Sequence, residues 1–116
     1  DLKTTRDAST LAFERSIYSY GYHRQAAFYL TGARELGMAA KHFVFIAIEN
    51  EPPYEVAVYR LMEAAIEYGE LEIRNLLLEI AKCQKSGIWP GYADEVQDIA
   101  LPPWAWSKIE GDKYYE

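Results

Sequence analysis

The stretch Asp1-Leu2-Lys3-Thr4 opens the sequence and decides how the residues after it are interpreted. Side chains of a β-strand repeat with a period of two, so a strand here places Asp1 and Lys3 on the same side of the backbone. A carboxylate and an ammonium group in that arrangement can hold a divalent cation and a polarised water together. An acidic residue two positions before a lysine is also common at solvated strand ends, so the motif alone is not specific.

A second motif follows in the stretch Tyr22-His23-Arg24-Gln25-Ala26-Ala27-Phe28-Tyr29. Gln25 and Tyr29 are four residues apart, which puts them on one face of a helix. Asp1-x-Lys3 followed by Gln25-x-x-x-Tyr29 resembles the PD-(D/E)XK nuclease superfamily, in particular its branch of phage and prophage exonucleases similar to exodeoxyribonuclease VIII. Further segments resemble that branch in the same order: Gly21-Tyr22-His23, Phe43-Val44-Phe45-Ile46, Glu51-Pro52-Pro53-Tyr54 and Trp89-Pro90-Gly91-Tyr92.

The resemblance implies an α/β fold, a restriction-endonuclease-like mixed sheet flanked by helices. Residues 1–106 are then expected to be the C-terminal part of a nuclease domain whose first strands are missing, and residues 107–116 a frayed tail. In this family an earlier strand carries another acidic metal ligand. The chain is therefore expected to be a catalytic half of a longer protein.

The activity implied by the resemblance is metal-dependent DNA hydrolysis with Mg²⁺ or Mn²⁺. It is expected to be exonucleolytic, on double-stranded ends, in phage-type recombination or repair. The partners implied are DNA ends, further copies of the chain and a single-strand annealing protein. The alternative is a non-catalytic nuclease-fold fragment or interaction module with an incomplete metal site.

The site residues implied by the resemblance come from both motifs. Asp1, Lys3, Gln25 and Tyr29 are the predicted catalytic residues. The Asp1 carboxylate and the Leu2 carbonyl are the predicted metal ligands, and oxygen ligands suit magnesium. Gln25, Tyr29 and Thr4 are the predicted contacts to the substrate, because amides and hydroxyls bond phosphate oxygens.

Composition sets limits on this interpretation. The chain has 116 residues, half of them hydrophobic, which predicts one small globular domain. No apolar run is long enough for a membrane span, and the single Cys83 cannot form an internal disulfide, so a soluble, cytoplasmic protein without a membrane partner is expected. The net charge of -6 argues against a generic nucleic-acid coat protein, since duplex binding depends on Lys and Arg.

Apolar periodicity and turn residues predict most of the secondary structure. The run over 43–48 is unbroken and apolar, which is typical of a strand buried on both faces. The predicted elements are, in order, a helix from Asp7 or Ser9 to Gly21, a helix over 22–36, a hairpin of strands 43–48 and 54–59, a helix over 62–85 and a brief edge strand over 96–101.

Several other polar and aromatic residues are given structural interpretations. His23 is expected to be an ordinary helix histidine, with a phosphate contact as the alternative. The glutamates of the long helix, Glu72 among them, are expected to form a solvated face. Arg24 and Arg34 are solvated charges or DNA contacts. The three tryptophans are expected to close a small core from outside, with stacking on displaced bases as the alternative.

Overall fold

The computed structural model describes residues 1–113, and for Lys113 only the backbone. The chain divides into two compact units, with the boundary between Ser86 and Gly87. Among the described residues, no helix combines the length and the apolar character that crossing a membrane requires.

The first unit contains a mixed sheet of three strands, β1 (Leu2–Thr5), β2 (Val44–Glu49) and β3 (Val56–Arg60), in the order β1-β2-β3. β1 is parallel to β2, and β2 is antiparallel to β3. The predicted hairpin is therefore confirmed. Its second strand begins two residues later than predicted, because the Pro52-Pro53 pair and Tyr54, whose φ is +60°, belong to the turn.

Three helices complete this unit: α1 (Thr10–Tyr20), α2 (Tyr22–Glu35) and α3 (Glu63–Ser86). All three predicted helices are confirmed, and Ser9 rather than Asp7 is the N-cap of α1. Gly21 ends α1 and begins α2 with a φ of +68°, a left-handed conformation that glycine adopts without the penalty of a Cβ atom.

The core lies between the helices and one face of the sheet. Phe45 and Ala47 of β2 are fully buried beneath Phe13 of α1 and Ala26 and Leu30 of α2. The opposite face, which carries Leu2, Val44, Ile46 and Val58, is exposed in the part of the chain that the structure describes. The prediction that the 43–48 strand is buried on both faces is wrong, because the described helices pack on one face and leave alternate side chains in solvent.

In the described part of the second unit, residues 87–113, the chain forms one helix, α4 (Pro103–Lys113). Proline suits the first turn of a helix, and Pro103 begins α4. Of the predicted tail over residues 107–116, residues 107–113 belong to α4 and residues 114–116 lie outside the described chain. Residues 96–101 form no strand, since no neighbouring segment pairs with them in the described chain. The interpretation of the tryptophans as core-closing residues is also wrong, because all three side chains are exposed.

The architecture is that of a mixed α/β protein, as the sequence predicted. The parallel pair of β1 and β2 is joined through α1 and α2, which places both helices on the face of the sheet that carries Lys3. The two sequence motifs therefore lie on adjoining elements.

Candidate functional site

Strand β1 positions the first motif. The Asp1 nitrogen donates a hydrogen bond to the Val44 carbonyl at 2.8 Å, and the Ile46 N–H donates to the Asp1 carbonyl at 2.8 Å. The period of two places Asp1 and Lys3 on the helix-covered face, where Lys3 Nζ lies 3.2 Å from Asp1 Oδ2. Their side chains are 24% and 17% exposed, so the ion pair is partly shielded but open to a small ligand.

Helix α2 brings the second motif to the same place. Lys3 Nζ donates to Gln25 Oε1 at 2.8 Å, and Gln25 Nε2 donates to the Tyr29 hydroxyl at 3.3 Å. The spacing of four residues aligns Gln25 and Tyr29 on one helical face. Asp1, Lys3, Gln25 and Tyr29 thus form one continuous chain of polar contacts, and Lys3 lies in its middle.

Tyr22 also contacts Lys3, although it is not among the predicted site residues. Lys3 Nζ lies 4.3 Å from the centroid of the Tyr22 ring, within the range of a cation–π interaction. Tyr22 precedes Gln25 by three residues and so shares its helical face. That spacing is the signal that could have identified it.

The two remaining predicted site residues point away from this cluster. Leu2 and Thr4 alternate with Lys3, so their side chains lie on the opposite face of the sheet. The structure therefore does not bring the Thr4 hydroxyl to Lys3. The Leu2 carbonyl is differently placed. The Asp1 and Thr5 carbonyls accept hydrogen bonds from the N–H groups of Ile46 in β2 and of Asn50 just after it, so the intervening Leu2 carbonyl is directed toward the edge of β1 that is open in the described chain.

The donor set fits a hard cation such as Mg²⁺. The Asp1 carboxylate and the Leu2 carbonyl are both oxygen donors, and Mg²⁺ retains several waters while taking one or two protein carboxylates. Within residues 1–113, no group of three or more His, Cys, Asp or Glu side chains could hold a metal ion. The described residues can therefore supply part of a magnesium shell, and its other positions need ligands from outside this set, such as water.

A second polar cluster joins α2 to α3. His23 is buried, and its Nε2 lies 2.5 Å from Glu72 Oε1. Arg24 Nη1 donates to Glu72 Oε2 at 2.9 Å, and the His23 ring stacks on Tyr68. The hydrogen bond from His23 is the largest effect that holds the pKa of Glu72 below its usual value. Desolvation opposes it, and the smaller hydrogen bond from Arg24 lowers the pKa further.

This second cluster revises the interpretation of the charged residues on α2 and α3. Glu72 belongs to a helix–helix contact and not to a solvated face. His23 is a helix histidine, as expected, and the structure adds that it is buried and paired with Glu72. Arg24 is paired with Glu72, and Arg34 lies 3.3 Å from Glu70. Both arginines therefore form ion pairs with glutamates of α3.

Gly69 marks the closest approach of the two helices. A Cβ atom built on Gly69 would lie 2.4 Å from the His23 carbonyl oxygen and 3.1 Å from Ala27 Cβ. Only glycine permits that distance, since the neighbouring atom belongs to the α2 backbone. Together, Gly69 and Glu72 fix the position of α2, and with it the position of Gln25.

Two comparisons with known proteins bear on this site. No curated protein matches the sequence. The sequence profile of one family, described as a PDDEXK-like domain of unknown function (DUF3799), matches residues 1–102, a range that includes the whole polar chain around Lys3. The protein belongs to this family of PDDEXK-like domains.

Proposed function

We propose that the domain hydrolyses phosphodiester bonds of DNA with the help of Mg²⁺ or Mn²⁺, as an exonuclease on double-stranded ends. A PDDEXK-like domain is a nuclease-type domain, and DNA is its general class of substrate. The observation that carries the proposal is the placement of Lys3 Nζ, held between Asp1 Oδ2 at 3.2 Å and Gln25 Oε1 at 2.8 Å. An ammonium group fixed beside a carboxylate is positioned to act on a phosphate.

The first step of the proposed mechanism is recognition of the cation and the phosphate. The Asp1 carboxylate and the Leu2 carbonyl are the ligands that would hold the ion at the edge of β1. When bound, a divalent cation supplies charge neutralisation at the phosphate and a water of lowered pKa. Lys3, three ångströms from the Asp1 carboxylate, donates hydrogen bonds to the attacking water or to the oxygen that gains negative charge.

Gln25 and Tyr29 orient the other reactants in this proposal. Gln25 Oε1 accepts from Lys3 and so fixes the direction of the ammonium group. The Tyr29 side chain is 55% exposed and its hydroxyl accepts from Gln25, so its own proton remains available for a phosphate oxygen. Neither residue is needed as the proton acceptor. Each contributes by holding donors in place before the reaction, which is the larger part of electrostatic catalysis.

The finer assignment rests on the resemblance to exonucleases similar to exodeoxyribonuclease VIII. It comprises digestion from double-stranded ends, a setting in phage-type recombination or repair, assembly of several copies, and a single-strand annealing protein as partner. Thr4 enters this proposal as a contact to the DNA backbone on the far side of β1, since its hydroxyl is exposed there.

One observation favours the second candidate, a nuclease-fold interaction module without catalysis. The described residues bring a single carboxylate to Lys3 and form no metal-binding cluster of three acidic, histidine or cysteine side chains. A module of this kind would bind DNA or protein with the same surface but leave the substrate intact.

A comparison of linear and covalently closed circular duplexes of equal sequence tests the proposed function. With magnesium present, we expect the chain to release nucleotides from the linear duplex and to leave the closed circle intact, because an exonuclease needs an end. Cleavage of the circle at a similar rate would contradict the exonuclease assignment. Binding of linear DNA without release of nucleotides would favour the interaction module.

A further inference from the structure

A polar groove opens at the carboxyl ends of the parallel strands β1 and β2. Its volume is about 380 Å³, and its lining includes Arg6, Asp7, Ser16, Tyr20, Tyr22 and Asn50. Ligands of open α/β sheets commonly bind outside the carboxyl ends of strands. This volume is near the lower limit for ligand sites, which suits a single nucleotide and not a duplex.

Tyr22 connects the groove to the polar chain. Its ring lies 4.3 Å from Lys3 Nζ, and the same residue forms part of the groove wall. Thr5, at the end of β1, also lines the groove and follows Lys3 by two residues, roughly 7 Å along a strand. A nucleotide whose phosphate lies at Lys3 can therefore reach the groove with its sugar and base.

The charges of the groove decide which part of a nucleotide it can accept. Arg6 is the one cation and Asp7 the one anion among its lining residues. Hydrogen bonds from the Ser9 hydroxyl and backbone N–H hold the pKa of Asp7 below its usual value, so Asp7 is ionised at neutral pH. A groove with balanced charges does not favour a phosphate. It favours a neutral, hydrogen-bonding group such as a nucleobase with its sugar.

Two tyrosines provide a surface for such a base. The Tyr20 and Tyr22 rings stack with centroids 5.6 Å apart and planes 27° from parallel. The Tyr20 side chain is 72% exposed, so ring surface remains open to solvent. Gly21 lies between the two tyrosines in the sequence and has a φ of +68°. This left-handed conformation makes the bend between α1 and α2, and the bend lets the two rings stack. Beside the rings, the Asn50 amide offers both a donor and an acceptor.

We infer that this groove binds the unpaired base of the nucleotide next to the phosphate held at Lys3, with Tyr20 as its stacking platform. The inference rests on the proposed function, because it requires DNA at Lys3. Stacking on an aromatic side chain accepts any base, which fits digestion of arbitrary sequences.

Equilibrium binding without a divalent cation tests this inference. The probe is a short duplex with one unpaired 2-aminopurine nucleotide at an end, and the readouts are 2-aminopurine quenching and Kd. We expect Tyr20→Ala to lose the quenching and to bind about 10-fold more weakly or worse, because an aromatic platform is removed. Tyr20→Phe should retain both, since the ring carries the interaction.

Tyr18→Ala is the matched control, because Tyr18 lies on the same helix, is 76% exposed and does not line the groove. Melting curves confirm that each variant folds. Equal quenching and affinity for the wild type and Tyr20→Ala, with hydrolysis of linear duplex retained by the wild type, would overturn the groove assignment alone. A wild-type chain that neither binds the probe nor hydrolyses DNA would overturn the proposed function and the groove together.

Discussion

Replacing Lys3 with alanine is expected to reduce magnesium-dependent hydrolysis of linear duplex DNA by about 100- to 1,000-fold, the usual effect of removing one prepositioned donor. Lys3 Nζ contacts both Asp1 Oδ2 and Gln25 Oε1. Without this ammonium group, the Asp1 carboxylate and the Gln25 amide lose their common contact, while the backbone hydrogen bonds of the sheet remain. Initial rates at saturating magnesium measure the effect.

Stability should change much less than activity in this variant. A partly exposed ion pair contributes up to about 1 kcal/mol, which corresponds to a shift in Tm of about 4–8 °C in a small domain. Lys82→Ala is the control, because Lys82 is an exposed residue near the end of α3 and its removal changes the net charge equally. Equal rates for Lys3→Ala and Lys82→Ala would remove Lys3 from the site.

Gln25→Ala extends the same experiment along the chain of contacts. This variant keeps the ammonium group but loses the acceptor that directs it at 2.8 Å. We therefore expect a rate between that of the wild type and that of Lys3→Ala. A rate as low as that of Lys3→Ala would show that Gln25 does more than orient Lys3.

Gly69→Ala is expected to lower the free energy of unfolding by about 1–3 kcal/mol, the typical cost of overpacking a core. The added Cβ would lie 2.4 Å from the His23 carbonyl oxygen. Because that oxygen belongs to the backbone of α2, it cannot rotate away as a flexible side chain would. Relief requires α3 to move from α2, which also strains the contact between His23 and Glu72. Urea unfolding curves measure the change.

Gly32→Ala is the matched control, since Gly32 also lies within a helix but its added Cβ would meet no atom within 4 Å. Alanine is favoured over glycine in helices, so this variant should gain up to about 1 kcal/mol. The two substitutions are chemically identical and should have opposite signs. A similar change for both would contradict the close helix–helix contact at Gly69.

Most of the fold of the first unit could be predicted from local sequence patterns. The hairpin followed from two β-rich runs around Pro52-Pro53, and the end of the first helix followed from Gly21. The burial of β2 could not be inferred in the same way, because an unbroken apolar run does not show how many faces are covered. Residues 96–101 have strand composition, but a strand needs a neighbour, and composition does not supply one.

The candidate site shows the same division between local and long-range information. The alternation of Asp1 with Lys3 and the spacing of Gln25 from Tyr29 are local, so the sequence could predict the polar chain that the structure contains. His23 and Glu72 are 49 positions apart, and either residue alone is typical of a helix surface. Only the packing of α2 on α3 reveals that they form a pair.

Hydrolysis of linear duplex DNA by the wild-type chain, followed as nucleotide release with increasing magnesium and then with excess chelator, tests most directly whether Asp1 and Lys3 form a metal-dependent nuclease site. We expect release that rises with magnesium, stops on chelation, and falls sharply in Asp1→Asn, which lacks the carboxylate ligand. No release at any magnesium concentration, or equal release with chelator present, would contradict the proposed site.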